Sequence, residues 1–151
     1  MQRFLLASAV LMSVMGGLVS PATHAATSTS FTTNEQVIAV DPPASQTQRG
    51  DLLRIRGQRF TALLSGDIDG TLVLVADIDI DVTTGNGTIR GSFTIQLDDG
   101  RSFSGTFAGT LRGGLGNTRF VGRGADGSAV VGRTVESAPG VAVITGTITT
   151  P

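Results

Sequence analysis

The sequence predicts an all-β domain, an antiparallel meander closed into a single small barrel of about eight strands. Three observations carry that expectation. From Asp51 to Thr150 no apolar pattern follows a helical period, and Gly recurs every few residues among Thr, Val, Ile and Phe. Three segments alternate strictly between apolar and polar side chains. The turns between those segments have the lengths that their parities require. A hairpin-linked chain of this many strands loses its exposed edges by closing into a barrel. A two-sheet sandwich is the competing arrangement.

Residues 1–25 read as a secretory signal peptide. Arg3 supplies the positive start and an apolar run from Phe4 to Val19 follows. Pro21 ends the run, and Thr23 and Ala25 place small residues at −3 and −1 for cleavage before Ala26. The run is shorter than the ~20 apolar residues of a membrane span. The absence of Cys closes the lipoprotein route and leaves no disulfides. The expected location is therefore periplasmic or secreted.

Residues 26–34 are rich in Thr and Ser and poor in apolar side chains, which predicts a flexible N-terminus. A single barrel domain is then expected over residues 35–151. Residues 35–41 (EQVIAVD) form a first strand, and the two prolines and polar residues of 42–48 form a loop. Residues 52–56 and 59–65 follow as two strands. In 72–82 the even positions are apolar and Asp77, Asp79 and Asp81 are odd. In 89–97 and 103–111 the odd positions are the apolar set, with Phe93, Phe103 and Phe107 among them. An even-in strand joins an odd-in strand through an even-length loop, which Gly85-Asn86 or Asn86-Gly87 supplies. Two odd-in strands need an odd loop, and Asp98-Asp99-Gly100 fits one with a Gly bulge. Strands at 118–124, 128–135 and 141–149 complete the set. Glycines such as Gly105, Gly109, Gly122 and Gly124 relieve crowding where a small barrel coils.

Composition removes many chemistries. There is no Cys, Trp, Tyr or Lys, and the single His, His24, lies in the leader. Thiol proteases, Ser-His-Asp hydrolases, Schiff-base enzymes and His-ligated zinc are excluded for the remaining chain. All eleven basic residues are Arg. Without Arg3 ten remain against twelve Asp and Glu, a net charge of −2. A slightly acidic domain with few aromatics is a poor nucleic-acid partner, and no basic amphipathic helix addresses a membrane. An aromatic girdle for membrane insertion as a barrel is missing too.

The run Gly116-Asn117-Thr118-Arg119-Phe120-Val121-Gly122-Arg123-Gly124 resembles the G-x-G-R-F-x-G-x-x-G signature of dirigent proteins, in a region shared with allene oxide cyclase-like barrels. Thr118 replaces the second Gly, and the last Gly falls one position early. Residues 103–111 and 143–149 suit the same architecture, so the resemblance spans residues 67–149. It implies an eight-stranded antiparallel barrel, often a homo-oligomer, with a cavity for hydrophobic small molecules. The families concerned steer radical coupling or cyclise an epoxide. None of their acidic or aromatic motifs aligns here, so no catalytic residue carries over.

Candidate chemistry is sparse. Asp77, Asp79 and Asp81 lack the Gly and Glu that a calcium loop places at its sixth and twelfth positions, where Val82 and Thr88 stand. They read as an outward, solvated face that holds no metal. A two-residue turn would set Asp81 opposite Arg90, with Asp77 and Asp79 facing Thr94 and Ser92. Arg54, Arg56 and Arg59 could neutralise these acids if their strands are neighbours. Arg133 either points outward or enters the barrel with Glu136 or Asp126 as partner. The expected lining of an interior ligand site is Phe93, Phe103, Phe107, Phe120 and Arg133, with no cofactor. The expected role is non-catalytic: holding a small apolar molecule, or acting as a filled structural module. The alternative is a cyclase or isomerase working on a hydrophobic substrate inside the barrel.

Overall fold

A computed structural model describes residues 25–151; residues 1–24, nearly all of the expected signal peptide, lie outside them. The described chain is all-β, with nine strands in order: β1 (Thr27–Val40), β2 (Ser45–Arg49), β3 (Leu52–Gly66), β4 (Gly70–Asp81), β5 (Gly87–Leu97), β6 (Ser102–Arg112), β7 (Leu115–Gly124), β8 (Ala129–Ala138) and β9 (Val141–Thr150). Every pairing is antiparallel. β1 pairs with β9 on one side and with β3 on the other, so eight strands close a barrel. β2 stays outside the ring. It continues the line of β1 along β3, Val40 lying opposite Phe60 and Ser45 opposite Arg56.

The meander β4–β5–β6 forms as expected, with Phe93, Ile95 and Phe107 buried and Ile78 packed against them. The β5–β6 turn has the expected three residues: Leu97 N–H donates to the Arg101 carbonyl, and Gly100 takes φ 91°. The β4–β5 loop keeps its even parity but is four residues longer than a two-residue turn. The Asp81 carboxylate accepts the N–H groups of Thr83 and Thr84 at 3.0 and 2.8 Å, and the chain turns over residues 81–86 before pairing resumes at Ile80–Gly87. Arg90 therefore lies opposite Asp77 rather than Asp81. β3 does neighbour β4, and Asp79 sits 2.7 Å from Arg56 and 3.8 Å from Arg54.

Three expectations are corrected. Residues 26–34 are not a flexible tail, because Thr27 onward is the first half of β1. Phe31, Thr33 and Glu35 point inward and are buried, and the backbone of this stretch completes the ring between β9 and β3. Residues 42–48 are a loop only as far as Ala44, since β2 pairs through its backbone with all five side chains exposed. The strands expected at 52–56 and 59–65 are one strand with a bulge between Ile55 and Gln58. Gly57 takes φ 63° there and donates its N–H to Asp77 Oδ1 at 3.0 Å. The extra residues switch the inward set from Ile55 to Gln58, Phe60, Ala62 and Leu64.

The two ends of the barrel differ. At the end where β1 begins and β9 finishes, Phe31, Leu64, Leu97, Phe103, Val130 and Ile148 fill the interior. Inward phenylalanines lie opposite inward glycines: Phe31 opposite Gly146, Phe93 opposite Gly105, Phe107 opposite Gly91 and Phe120 opposite Gly132. A Cβ on Gly146 would meet Phe31 Cζ at 2.7 Å, so the ring lies over the bare backbone. Toward the β8–β9 turn at Pro139-Gly140 the filling stops.

Candidate functional site

The unfilled half of the barrel is a cavity of about 420 Å³ that opens to solvent beside Val40, Pro139 and Gly140. Its size falls within the range that small-molecule sites occupy. β3, β4 and β5 supply one wall, with Phe60, Leu72, Leu74, Ile89, Phe93 and Ile95. Phe107 and Phe120 bridge to the other side, where the Phe120 ring stands edge-on to Phe93, with centroids 5.6 Å apart and planes at 77°. Each of these residues is the inward member of an alternating strand, so the apolar wall follows directly from the pattern.

The facing wall sets polar groups among apolar Val37 and Ile144. Thr118 on β7, Thr134 and Glu136 on β8, and Glu35 on β1 all line the cavity. The strand registers explain the grouping. Glu35 lies opposite Ala142 of β9, and Ala142 lies opposite Glu136, so one small side chain separates two inward acids. Thr118 and Thr134 form the neighbouring cross-strand pair. Glu136 Oε2 accepts the backbone N–H of Gly116, and a Cβ there would stand 2.9 Å from that oxygen.

Glu35 is only 6% exposed. Burial away from water, with the Glu136 charge adding to it, pushes its carboxyl up from 4.5 to about 7. The group therefore exchanges a proton near neutrality while facing an apolar chamber. That arrangement can hold a polar head beside an apolar body, or pass a proton to a bound molecule.

Of the residues expected to line a site, Phe93, Phe107 and Phe120 do so. Phe103 does not; it is buried in the packed end, opposite Ile95. Arg133 is corrected as well. It is exposed on the outer face of β8, and its Nε donates to Asn117 Oδ1 at 3.0 Å. The even positions of β8 face inward, which brings Glu136 into the barrel without an arginine beside it. Glu35 was not expected at the site. The available signal was the alternation Phe31, Thr33, Glu35, Val37, once the strand is extended upstream. Asp126 caps its own turn, accepting the Ser128 N–H at 2.9 Å, and stays outside.

Asp67 and Asp69 serve backbone turns, accepting N–H groups from Thr32 at 2.8 Å and Gly66 at 3.0 Å. Among the described residues no three His, Cys, Asp or Glu side chains gather as a metal-holding group. No protein-family model and no curated protein sequence matches the chain.

Proposed function

We propose that this protein is an exported barrel that holds a small, largely hydrophobic molecule in its half-hollow interior. One observation carries the reading: an open cavity of about 420 Å³ walled by Phe60, Leu72, Leu74, Phe93 and Phe120, inside a barrel whose other half is packed solid. A barrel needed only as scaffold gains stability from filling its core, since voids cost packing energy. Export follows from the leader-like composition of residues 1–25. A panel of terpenoids, polyenes, fatty acids and lipophilic amines, read by thermal shift, tests the binding. Stabilisation by members that fit the chamber is the expected result. A flat response across the panel removes the binding role and leaves a structural module.

A second reading has its own support in Glu35. A carboxyl held near pH 7 inside an apolar site suits general acid–base work, such as isomerising or cyclising a bound substrate. Mass spectrometry of recovered ligand separates the two readings. Unchanged ligand supports holding, whereas conversion that disappears in Glu35→Gln supports catalysis.

A further inference from the structure

A buried carboxyl destabilises a fold unless a partner satisfies it. Burial and the neighbouring acid act on Glu35, and no hydrogen bond from the described residues does. The group lines a cavity that opens to solvent, so water satisfies it until a guest with donors of its own takes that place. Glu136 stands two strands away on the same wall, on the order of 10 Å at the backbone by ordinary strand spacing. No arginine is among the lining residues, and the chain has no lysine. Several of the barrel's arginines are engaged outside: Arg54 and Arg56 with Asp79, Arg59 with Asp41 and Arg101 with Asp99. The chamber thus offers apolar walls and negative charge without a cation of its own.

We propose that the guest is a lipophilic primary amine, its apolar body against Phe60, Leu74, Phe93 and Phe120 and its ammonium group between Glu35 and Glu136. The inference rests on the ligand-holding reading and narrows it to one chemical class. A primary ammonium brings three N–H donors. The polar wall offers acceptors in both Glu35 oxygens, the Glu136 oxygen that Gly116 leaves free, and the Thr118 and Thr134 hydroxyls. Charge-assisted bonds between apolar walls are stronger than those a neutral alcohol makes. A carboxylate guest meets two like charges instead. A divalent cation is a poorer occupant, because two carboxylates supply too few oxygens for calcium.

Binding is linked to a proton. The groups facing Glu35 from adjoining strands are Leu64 on β3, Ala142 on β9 and, beyond it, Glu136 on β8. Glu136 is the titratable one. Below neutrality Glu35 carries a proton, which the arriving ammonium must expel to solvent. Amine affinity therefore rises with pH up to about 7 and then levels off.

Calorimetry with adamantylamine, adamantanol and adamantanecarboxylate tests this, since the three share one apolar body. The expected order at pH 8 is amine about tenfold or more tighter than alcohol, with the carboxylate weakest. At pH 6 the amine's advantage shrinks and its binding releases a proton, seen as a buffer-dependent heat. In Glu35→Gln most of the amine's advantage over the alcohol disappears. Glu136→Gln gives a second reading, with partial loss of the amine preference. Equal binding of amine and alcohol by the wild type at pH 8, or an undiminished amine preference in Glu35→Gln, overturns the amine assignment while the cavity reading stands. Binding of none of the three overturns both.

Discussion

Glu35 sets the electrostatics of the interior and gives the clearest consequence at the scale of a single residue. Its folded carboxyl titrates near 7 and its unfolded carboxyl near 4.5. Between those values the folded state holds more protons than the unfolded state, so this group lowers stability as pH rises from about 4.5 to 7. The full effect is on the order of 3 kcal/mol from a shift of that size. Urea unfolding at pH 5 and pH 8 checks it. The wild type should be less stable at pH 8, and Glu35→Gln should lose most of that difference and exceed the wild type at pH 8. The one local signal for Glu35, its alternation with Phe31, Thr33 and Val37, starts inside a stretch that reads as a tail. The flanking stretch is Thr- and Ser-rich, and an inward glutamate contradicts the usual burial of carboxylates. Arg133 was left between two faces, and named in the site lining, for a related reason. Both faces of β8 carry valine, and outward Val131 and Val135 keep 49% and 41% exposure, so the apolar residues gave no contrast by which to choose a face.

At the scale of elements, the legible strands were those with one wet face. β4, β5 and β6 alternate cleanly, and their turn lengths agree with their parities. The register slip in the β4–β5 loop came from one carboxylate, Asp81, whose turn-capping bonds add residues without changing parity. Bulges such as the one at Gly57 were invisible because each resets the alternation midway through a strand. The phenylalanine–glycine pairs give a prediction about sheet packing. A Cβ at Gly122 would stand 2.6 Å from Phe93 Cζ and 2.8 Å from the Ser104 carbonyl oxygen. Gly122→Ala should cost about 1–3 kcal/mol in chemical denaturation, typical of forcing a methyl group against a ring and a backbone carbonyl. Adding Phe93→Leu should recover part of that loss, since the shorter side chain makes room. If the two substitutions prove additive, Phe93 is not what confines Gly122.

The whole molecule joins a packed half to a hollow half, and local stability should follow that division. Amides of β5 and β6 near Ile95, Leu97 and Phe103 should exchange slowest, and those near Pro139, Gly140 and Gly116 fastest. Hydrogen exchange followed by mass spectrometry resolves the two ends, and a bound guest should slow the cavity end selectively. Uniform protection from end to end would contradict the division. The seam between β1 and β9 carries a consequence for how the protein comes to be folded. Thr27 hydrogen-bonds Thr150 across 123 positions of chain, so the ring cannot shut until the last strand has emerged. Contacts of such long range slow the approach to the native state, and the β4–β6 hairpins have every reason to precede them. Glu35 arrives on one side of that seam and Glu136 lies just beyond the other. The repulsion between them is met when the β1–β9 seam closes. A cationic guest present at that moment would then act as a template, hastening closure as well as stabilising its product.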